Sequence, residues 1–299
     1  MVKISVIGIC GVSLFMGVNH FHENGETLIA DSVFEEVGGK GINQSVAAER
    51  MGAEVSFLTA VGDDGNAEKC RLAAADNNIN AFFRVKPGKS TPFAVILTDK
   101  NGENRVTEYG TAELDESDAA VFEDEIAKSD VLLLQQEIPQ NINDTAIKIA
   151  ARHGVKVILN PASIRKISDD TARHVYAVTP NAHEARAIDI KRFANCIVTL
   201  GGEGCMINGR IKLPALNVRP IDTTGAGDTF NGALAVCIAK GMDIENACRY
   251  AVAASGLSVS KKYVMYAIPY MNEVEDILKE VNTYERIGRQ RIFSRLPFQ

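Results

Sequence analysis

The sequence predicts an α/β fold: a mostly parallel, doubly wound sheet flanked by helices, with a small discontinuous β-sheet as a lid. Three observations predict it. Short apolar and β-branched runs alternate with longer helical patterns. Those runs are nearly continuous in apolar residues, as strands covered on both faces require. Two stretches break the alternation with strand patterns that no helix separates. The 299 residues suit one such domain over 1–299, and no repeat or Pro/Gly/Ser linker divides them.

The first run, Lys3–Ile9, follows a charged N-terminus in the manner of a secretory leader. Its glycines, Gly8 and Gly11, and the lack of a small-x-small cleavage site favour a buried first strand, and hence the cytoplasm. Gly25–Val37 and Pro92–Tyr109 carry the alternating patterns, with Asp99-Lys-Asn-Gly102 as turn chemistry, so lid strands are expected in insertions at about 12–37 and 90–112. An open lid edge invites pairing with a second copy, a homodimer through the lid. Helices are expected at Ile42–Met51, closed by Gly52, and at Ala67–Ala75, Glu116–Ala127 and Asn141–Arg152, the last ending near Gly154. Strands are expected at Glu54–Val61, Val131–Gln135, Val155–Asn160, Tyr176–Thr179 and Cys196–Leu200. The last third reads as helices Gly225–Lys240, Asp243–Lys261 and Asn272–Val281, and the Arg-rich tail Glu285–Gln299 as a solvated helix end or an interaction arm.

A hydrophobic content of 46% and a charged content of 23% describe an ordinary globular chain. With 32 basic and 38 acidic residues there is no general attraction to nucleic acid or an anionic membrane, so any phosphate must be bound locally. The six cysteines form no Cys-x-x-Cys pair and sit mostly in apolar runs, which fits small hydrophobes in a reducing compartment. The histidines show no metal-ligand spacing; His20 and His22 read as an exposed loop.

Pro220-Ile-Asp-Thr-Thr-Gly-Ala-Gly-Asp-Thr-Phe-Asn-Gly232 places two glycines and two threonines before a helix with an apolar face. Its first-turn amides can close around an anion, helped by the helix dipole. Asp228 lies in that turn, where the dipole should keep it ionised and able to take a proton from a hydroxyl. Donors for a transferred phosphoryl group and a carboxylate for the attacking alcohol are what phosphoryl transfer needs. Read alone, the same turn is an acidic helix start with glycines for tight packing. Rival phosphate loops are missing: Lys40 in Gly38-Gly-Lys-Gly41 lacks the Walker pattern, and no G-x-G-x-x-G or Gly-x-Ser-x-Gly occurs. Gly38–Asn43 is itself a Gly-rich turn, with Lys40 and Asn43 able to hydrogen-bond a polar ligand.

These two segments, in this order and separation, resemble the two signatures of the ribokinase (PfkB-type) family of carbohydrate and nucleoside kinases. The likeness runs to about Pro269. It includes the Gly62-Asp-Asp64 turn, Glu137, Asn160-Pro-Ala162, Thr179-Pro-Asn-x-x-Glu184, Thr199-Leu-Gly201 with Gly204, and Asp222–Asp228. The resemblance implies a ribokinase-like sheet with a β lid, ATP and Mg²⁺, and a sugar-like substrate between lid and sheet. It makes Asp228 the base and the amides of Gly225, Ala226 and Gly227 the anion hole. Gly38, Gly39, Lys40, Asn43 and Glu137 would face the substrate. Thr199, Gly201, Gly204 and Thr223 would touch the nucleotide, and Asn181 and Glu184 would order Mg²⁺ through its waters.

The chain departs from the family at three places. Gly11 and Ser13 stand where the first strand is followed by an Asn and an Asp that grip the sugar, which weakens the case for D-ribose. Only eleven residues separate Glu184 from Cys196. Bulky residues fill Lys261–Ala267, where small ones are expected beside adenine and a monovalent cation, so K⁺ activation is in question. The expectation is a kinase acting on a hydroxyl of a small sugar, sugar phosphate or nucleoside; the alternative is a binding or regulatory protein of the same fold with impaired catalysis. A dinucleotide oxidoreductase lacks its fingerprint.

Overall fold

The computed structural model describes residues 1–281, and the Arg-rich tail Glu285–Gln299 lies outside them. The chain opens with β1 (Val2–Ile7), β2 (Gly11–Gly17), β3 (Ser32–Gly38), α1 (Lys40–Arg50), β4 (Ala53–Val61), α2 (Gly65–Asp76) and β5 (Asn80–Val85). There follow β6 (Phe93–Thr98), β7 (Asn104–Tyr109), α3 (Glu116–Val121), α4 (Glu123–Ala127), β8 (Val131–Gln135), α5 (Gln140–His153), β9 (Lys156–Asn160) and α6 (Asp169–Ala172). The last part holds β10 (Ala177–Val178), α7 (Glu184–Ala187), β11 (Ile197–Thr199), β12 (Cys205–Ile207), β13 (Ile211–Leu213), α8 (Ala226–Ala239) and α9 (Ile244–Ser258). Residues 271–281 are helical.

Strands β10, β9, β8, β1, β4 and β5 lie side by side in that order, every neighbouring pair parallel. Side chains alternate between the faces: in β8, Val131 and Leu133 join one apolar cluster, Leu132 and Leu134 the other. Helices α1, α2, α8 and α9 close the first face through Val46, Cys70, Leu234 and Ala251. Phe122, Ile126 of α4 and Ile147 of α5 close the second. Such two-sided burial is why these strands read as unbroken apolar runs. All six cysteines are buried free thiols, as small hydrophobes in apolar runs should be.

The lid is a four-stranded sheet in the order β3-β2-β6-β7, with β2 antiparallel to β3 and parallel to β6. Its second insertion is pinned where it leaves the body. Asp64 caps α2 by accepting from the Ala67 amide and also accepts from the amide and hydroxyl of Thr91, just before β6.

Several elements differ from the sequence expectation. β2 continues the apolar run of β1 after a brief break and has no pattern of its own. β5 is an edge strand with mixed exposure. The expected helix Glu116–Ala127 breaks at buried Phe122. An Asp115/Asp118 capping box starts its first half, and Asp118 turns to Arg84 and Lys86. The helix expected to reach Lys261 stops at Ser258. Cys196–Leu200, expected as a strand of the main sheet, belongs to a separate antiparallel sheet, β11-β12-β13. It adjoins the β10 end of the main sheet through isolated parallel bridges, Val178 to Cys196 and, just past the strand, Asn181 to Thr199.

Helix α8 lies so close to α1 that a Cβ on Gly232 would stand 2.4 Å from the Ala47 Cβ and 2.7 Å from the Gln44 carbonyl. Backbone would have to yield, and the gain in helix propensity, about 1 kcal/mol, does not cover it. Gly232→Ala is expected to lower stability by about 1–3 kcal/mol in urea unfolding. Unchanged or higher stability would show that the two helices can separate freely.

Candidate active site

A cavity of about 560 Å³ opens under the lid at the C-terminal ends of β1, β4 and β8. Ligand crevices of doubly wound sheets form where the strand order reverses, and the chain reverses here, running outward from β1 through β4 and returning to β8. The body contributes Gly8, Ile9, Thr59 and Glu137; the lid contributes Gly11, Ser13, Phe93, Glu108 and Tyr109.

Of the residues expected to face a substrate, Gly38, Gly39 and Glu137 line this cavity. Lys40 and Asn43 stand behind them on the first turns of α1. The Lys40 ammonium donates to Glu137 Oε1 at 2.6 Å, and Asn43 Nδ2 donates to Asp228 Oδ2 at 3.0 Å. Burial works against the Lys40 charge, but Glu137 and Asp228 outweigh it and hold its pKa above the ordinary lysine value.

Asp228 is buried in the first turn of α8. Gln44 Nε2 donates to its Oδ1 at 3.0 Å and also reaches Asn160 Oδ1 at 3.3 Å, while Gln44 Oε1 accepts from Gln135 Nε2 at 2.8 Å. The chain of amides continues: Asn160 donates to the Thr179 carbonyl, Thr179 Oγ1 donates to Asn231 Oδ1, and Asn231 Nδ2 donates to the Gly227 carbonyl. The acid is thus fixed from α1 on one side and from the ends of β9 and β10 on the other. The expectation that Asp228 is kept ionised in this turn meets an opposing effect. Burial dominates and pushes the Asp228 carboxyl up to about 6, against the pull of Lys40, Gln44 and Asn43.

The turn before α8 is tight. Gly225 has φ 73°, and a Cβ there would lie 2.3 Å from Val264 Cγ1. Of the three amides expected to form an anion hole, that of Ala226 closes the turn on the Thr223 carbonyl at 3.3 Å. Thr223 and Gly227 are exposed beside it.

Asn181 and Glu184 lie together past the end of β10. The Asn181 amide donates to Glu184 Oε2 at 2.9 Å, and Asn181 Oδ1 accepts from the amides of His183 and Glu184. Asn181 bridges Thr199, whose strand leads into the Gly201–Gly204 turn. These residues form a second group, joined to Asp228 through Thr179, Asn231 and Gly227. A buried carboxylate beside an amide oxygen is a hard-oxygen pair that suits Mg²⁺ held largely by water and phosphate. The described residues contain no cluster of three His, Cys, Asp or Glu ligands that would hold an ion unaided. His20 pairs with Glu26 instead.

Sequence reading passed over Gln44, Gln135 and Asn231. Asn231 carried a signal, a buried amide in an otherwise apolar helix one turn beyond Asp228. Gln44 and Gln135 carried none apart from their neighbours. Gly11 and Ser13 do line the cavity, and a Cβ on Gly11 would meet the Pro92 carbonyl at 2.3 Å. The lid backbone therefore occupies the space that a longer side chain would need.

The sequence model described as pfkB family carbohydrate kinase matches residues 1–271. A Bacillus subtilis ribokinase is 36% identical over 294 residues, covering 93% of this chain and 100% of its own. The structure of a Thermotoga maritima ribokinase superposes with a TM-score of 0.82 at 31% identity, over 93% of this chain and 100% of its own. An Arabidopsis thaliana ribokinase complexed with ribose and ATP gives 0.83 at 25% identity, over 93% and 99%. No helix of the described residues is long and apolar enough to cross a membrane.

A carboxyl that titrates near pH 4 in the unfolded chain and at about 6 in the fold binds its proton more tightly when folded. Its contribution to stability is full below about pH 4 and is lost as pH rises through about 6. Asp228→Asn is therefore expected to gain on the parent protein by up to about 3 kcal/mol between pH 4 and pH 7, from roughly two units at about 1.4 kcal/mol each. Urea unfolding at several pH values measures the gap. A gap that stays constant would mean that Asp228 titrates alike in both states.

Proposed function

The chain belongs to the pfkB family of carbohydrate kinases, phosphotransferases with an alcohol acceptor, and from that premise we propose that it transfers the γ-phosphate of ATP to a hydroxyl of a small sugar, sugar phosphate or nucleoside, with Asp228 as the base. The observation that carries the reading is the setting of Asp228. It is a buried carboxylate beside a glycine turn at a helix start, gripped by Asn43 and Gln44, with the Lys40–Glu137 pair on the cavity side.

In this reading the acceptor lies under the lid, its polar atoms met by Lys40, Asn43 and Glu137. Buried Thr59 Oγ1 and Asn43 Oδ1, which have no protein partner, suit a ligand rich in hydroxyls. Asp228 takes the acceptor proton, and a pKa near neutrality is what a general base at physiological pH requires. The amides of Gly225 and Gly227, with Ala226 turned among them, face the developing negative charge at the α8 terminus. Asn181 and Glu184 would hold Mg²⁺, which when bound offsets the charge of the phosphates. Thr199, Gly201, Gly204 and Thr223 lie on the nucleotide side. The lid keeps water from competing with the acceptor.

The Arabidopsis protein holds ribose and ATP; ATP carries over readily to the phosphate turn of this chain, ribose less so. Gly11 offers no side chain and Ser13 only a hydroxyl, so the favoured acceptor is less polar on that face than ribose, or differently arranged. Nothing in the setting of Asp228 favours a catalytically impaired binding protein. All six residues of β7 are exposed along an open lid edge. We expect a second copy to cover that edge and sedimentation to return a dimer; a monomer at all concentrations refutes the pairing.

A phosphotransfer screen over pentoses, hexoses, their phosphates and nucleosides tests the reading. Asp228→Asn should lower kcat on the best acceptor by about 10²–10⁴-fold. The parent kcat/KM should fall on the acid side with an apparent pKa near the value of about 6 set by burial. Exchange of K⁺ for choline at constant ionic strength should leave the rate unchanged. A variant that turns over normally removes Asp228 from the role.

A further inference from the structure

Lid strand β3 is fastened to the loop that carries Val264, by contacts the reaction itself does not use. The Glu36 carboxylate accepts from three successive amides: Val264 at 3.0 Å, Met265 at 2.8 Å and Tyr266 at 3.3 Å. Such a run of amides converging on one carboxylate is an anion nest built within the chain, with the strength of charge-assisted bonds. The Tyr263 ring stacks on Phe34 of the same strand, with centroids 3.6 Å apart and planes at 19°, and meets Phe15 of β2 edge-on. Tyr263 holds φ at +68°, a region that disfavours any residue with a Cβ. Free energy from elsewhere must hold it there, and its ring contacts and its own amide supply it.

That amide donates to Asp222 Oδ2 at 3.1 Å, while Asp222 Oδ1 accepts from Thr224 at 3.0 Å. Val264 fills the space where a side chain on Gly225 would stand. The loop is braced from behind by Arg50, which donates to the carbonyls of Met265 at 2.7 Å and Ile268 at 2.8 Å. One loop therefore touches the lid on one side and the phosphate turn on the other. β3 itself runs directly into Gly38, Lys40 and Asn43, so its placement also sets the substrate side.

We propose that Glu36 and Tyr263 are positioning residues that lock lid strand β3 to the turn Asp222–Gly225, so that the lid and the phosphate site are set as one unit. The lid is then held from the nucleotide side as well as by its strand connections. Only the naming of that turn as the phosphate site rests on the proposed function; the lock itself does not.

Hydrogen exchange on the full chain tests it, ligand-free and with MgADP as the probe. In Glu36→Gln and in Tyr263→Gly, the amides of Ser32–Gly38 are expected to exchange at least about tenfold faster than in the parent, with β4 unchanged. Tyr263→Gly is the sharper variant, since it relieves the backbone conformation while removing the ring; a residue that was only strained would leave β3 as protected as before. Tyr263→Phe keeps the ring and should restore parental exchange. MgADP should slow β3 exchange in the parent and not in the two loosened variants. Equal β3 exchange in the parent and both variants overturns the proposal. So does MgADP that protects Asp222–Asp228 in the parent yet leaves β3 untouched. If MgADP protects nothing, the kinase reading fails, and the ligand-free comparison still decides the lock.

Discussion

The close packing of α1 on α8 is the constraint from which the site follows. Because Gly232 lets the two helices touch, Asn43 and Gln44 of α1 reach the Asp228 carboxylate across the contact. The same contact seals the carboxylate from water, and burial then sets its proton affinity. Core packing and acid–base chemistry are thus one interaction. A bulkier residue at the crossing would alter stability, the position of the acid and its pKa together. Gln44 shows how tightly the parts are linked, since its single amide group serves Asp228, Asn160 and Gln135 at once.

Much of the main sheet was legible because two-sided burial writes an unmistakable apolar run, as in Val131–Gln135. The lid was legible only in part. β2 lacks a pattern of its own, since it follows β1 after three residues and is neither fully buried nor regularly half-exposed. β11 looked like another central strand because local sequence reports apolar content and says nothing about which sheet a strand joins. At the break, Phe122 is buried in the second apolar cluster against Phe82, a tertiary setting that no local pattern encodes.

At the site, the turn Asp222–Asp228 and the Gly38–Asn43 segment could be found because glycines, an acid and a helix start have chemical meaning in themselves. The partners that hold them could not. Gln44, Gln135 and Asn231 matter through side chains brought together across 44 to 231 in sequence, and an amide in isolation announces no partner. The charge state of Asp228 shows the same limit. The dipole is a local property and was readable, whereas desolvation belongs to the assembled fold and is the largest influence on this carboxyl.

The relay from Asp228 through Gln44, Asn160, Thr179 and Asn231 back to Gly227 draws every member from the body of the molecule. Gly11 and Ser13, the cavity positions that the sequence reading marks as departures from the family pattern, are both on the lid. A change within β2 would therefore reshape the cavity wall while the side chains that hold Asp228 stay where they are.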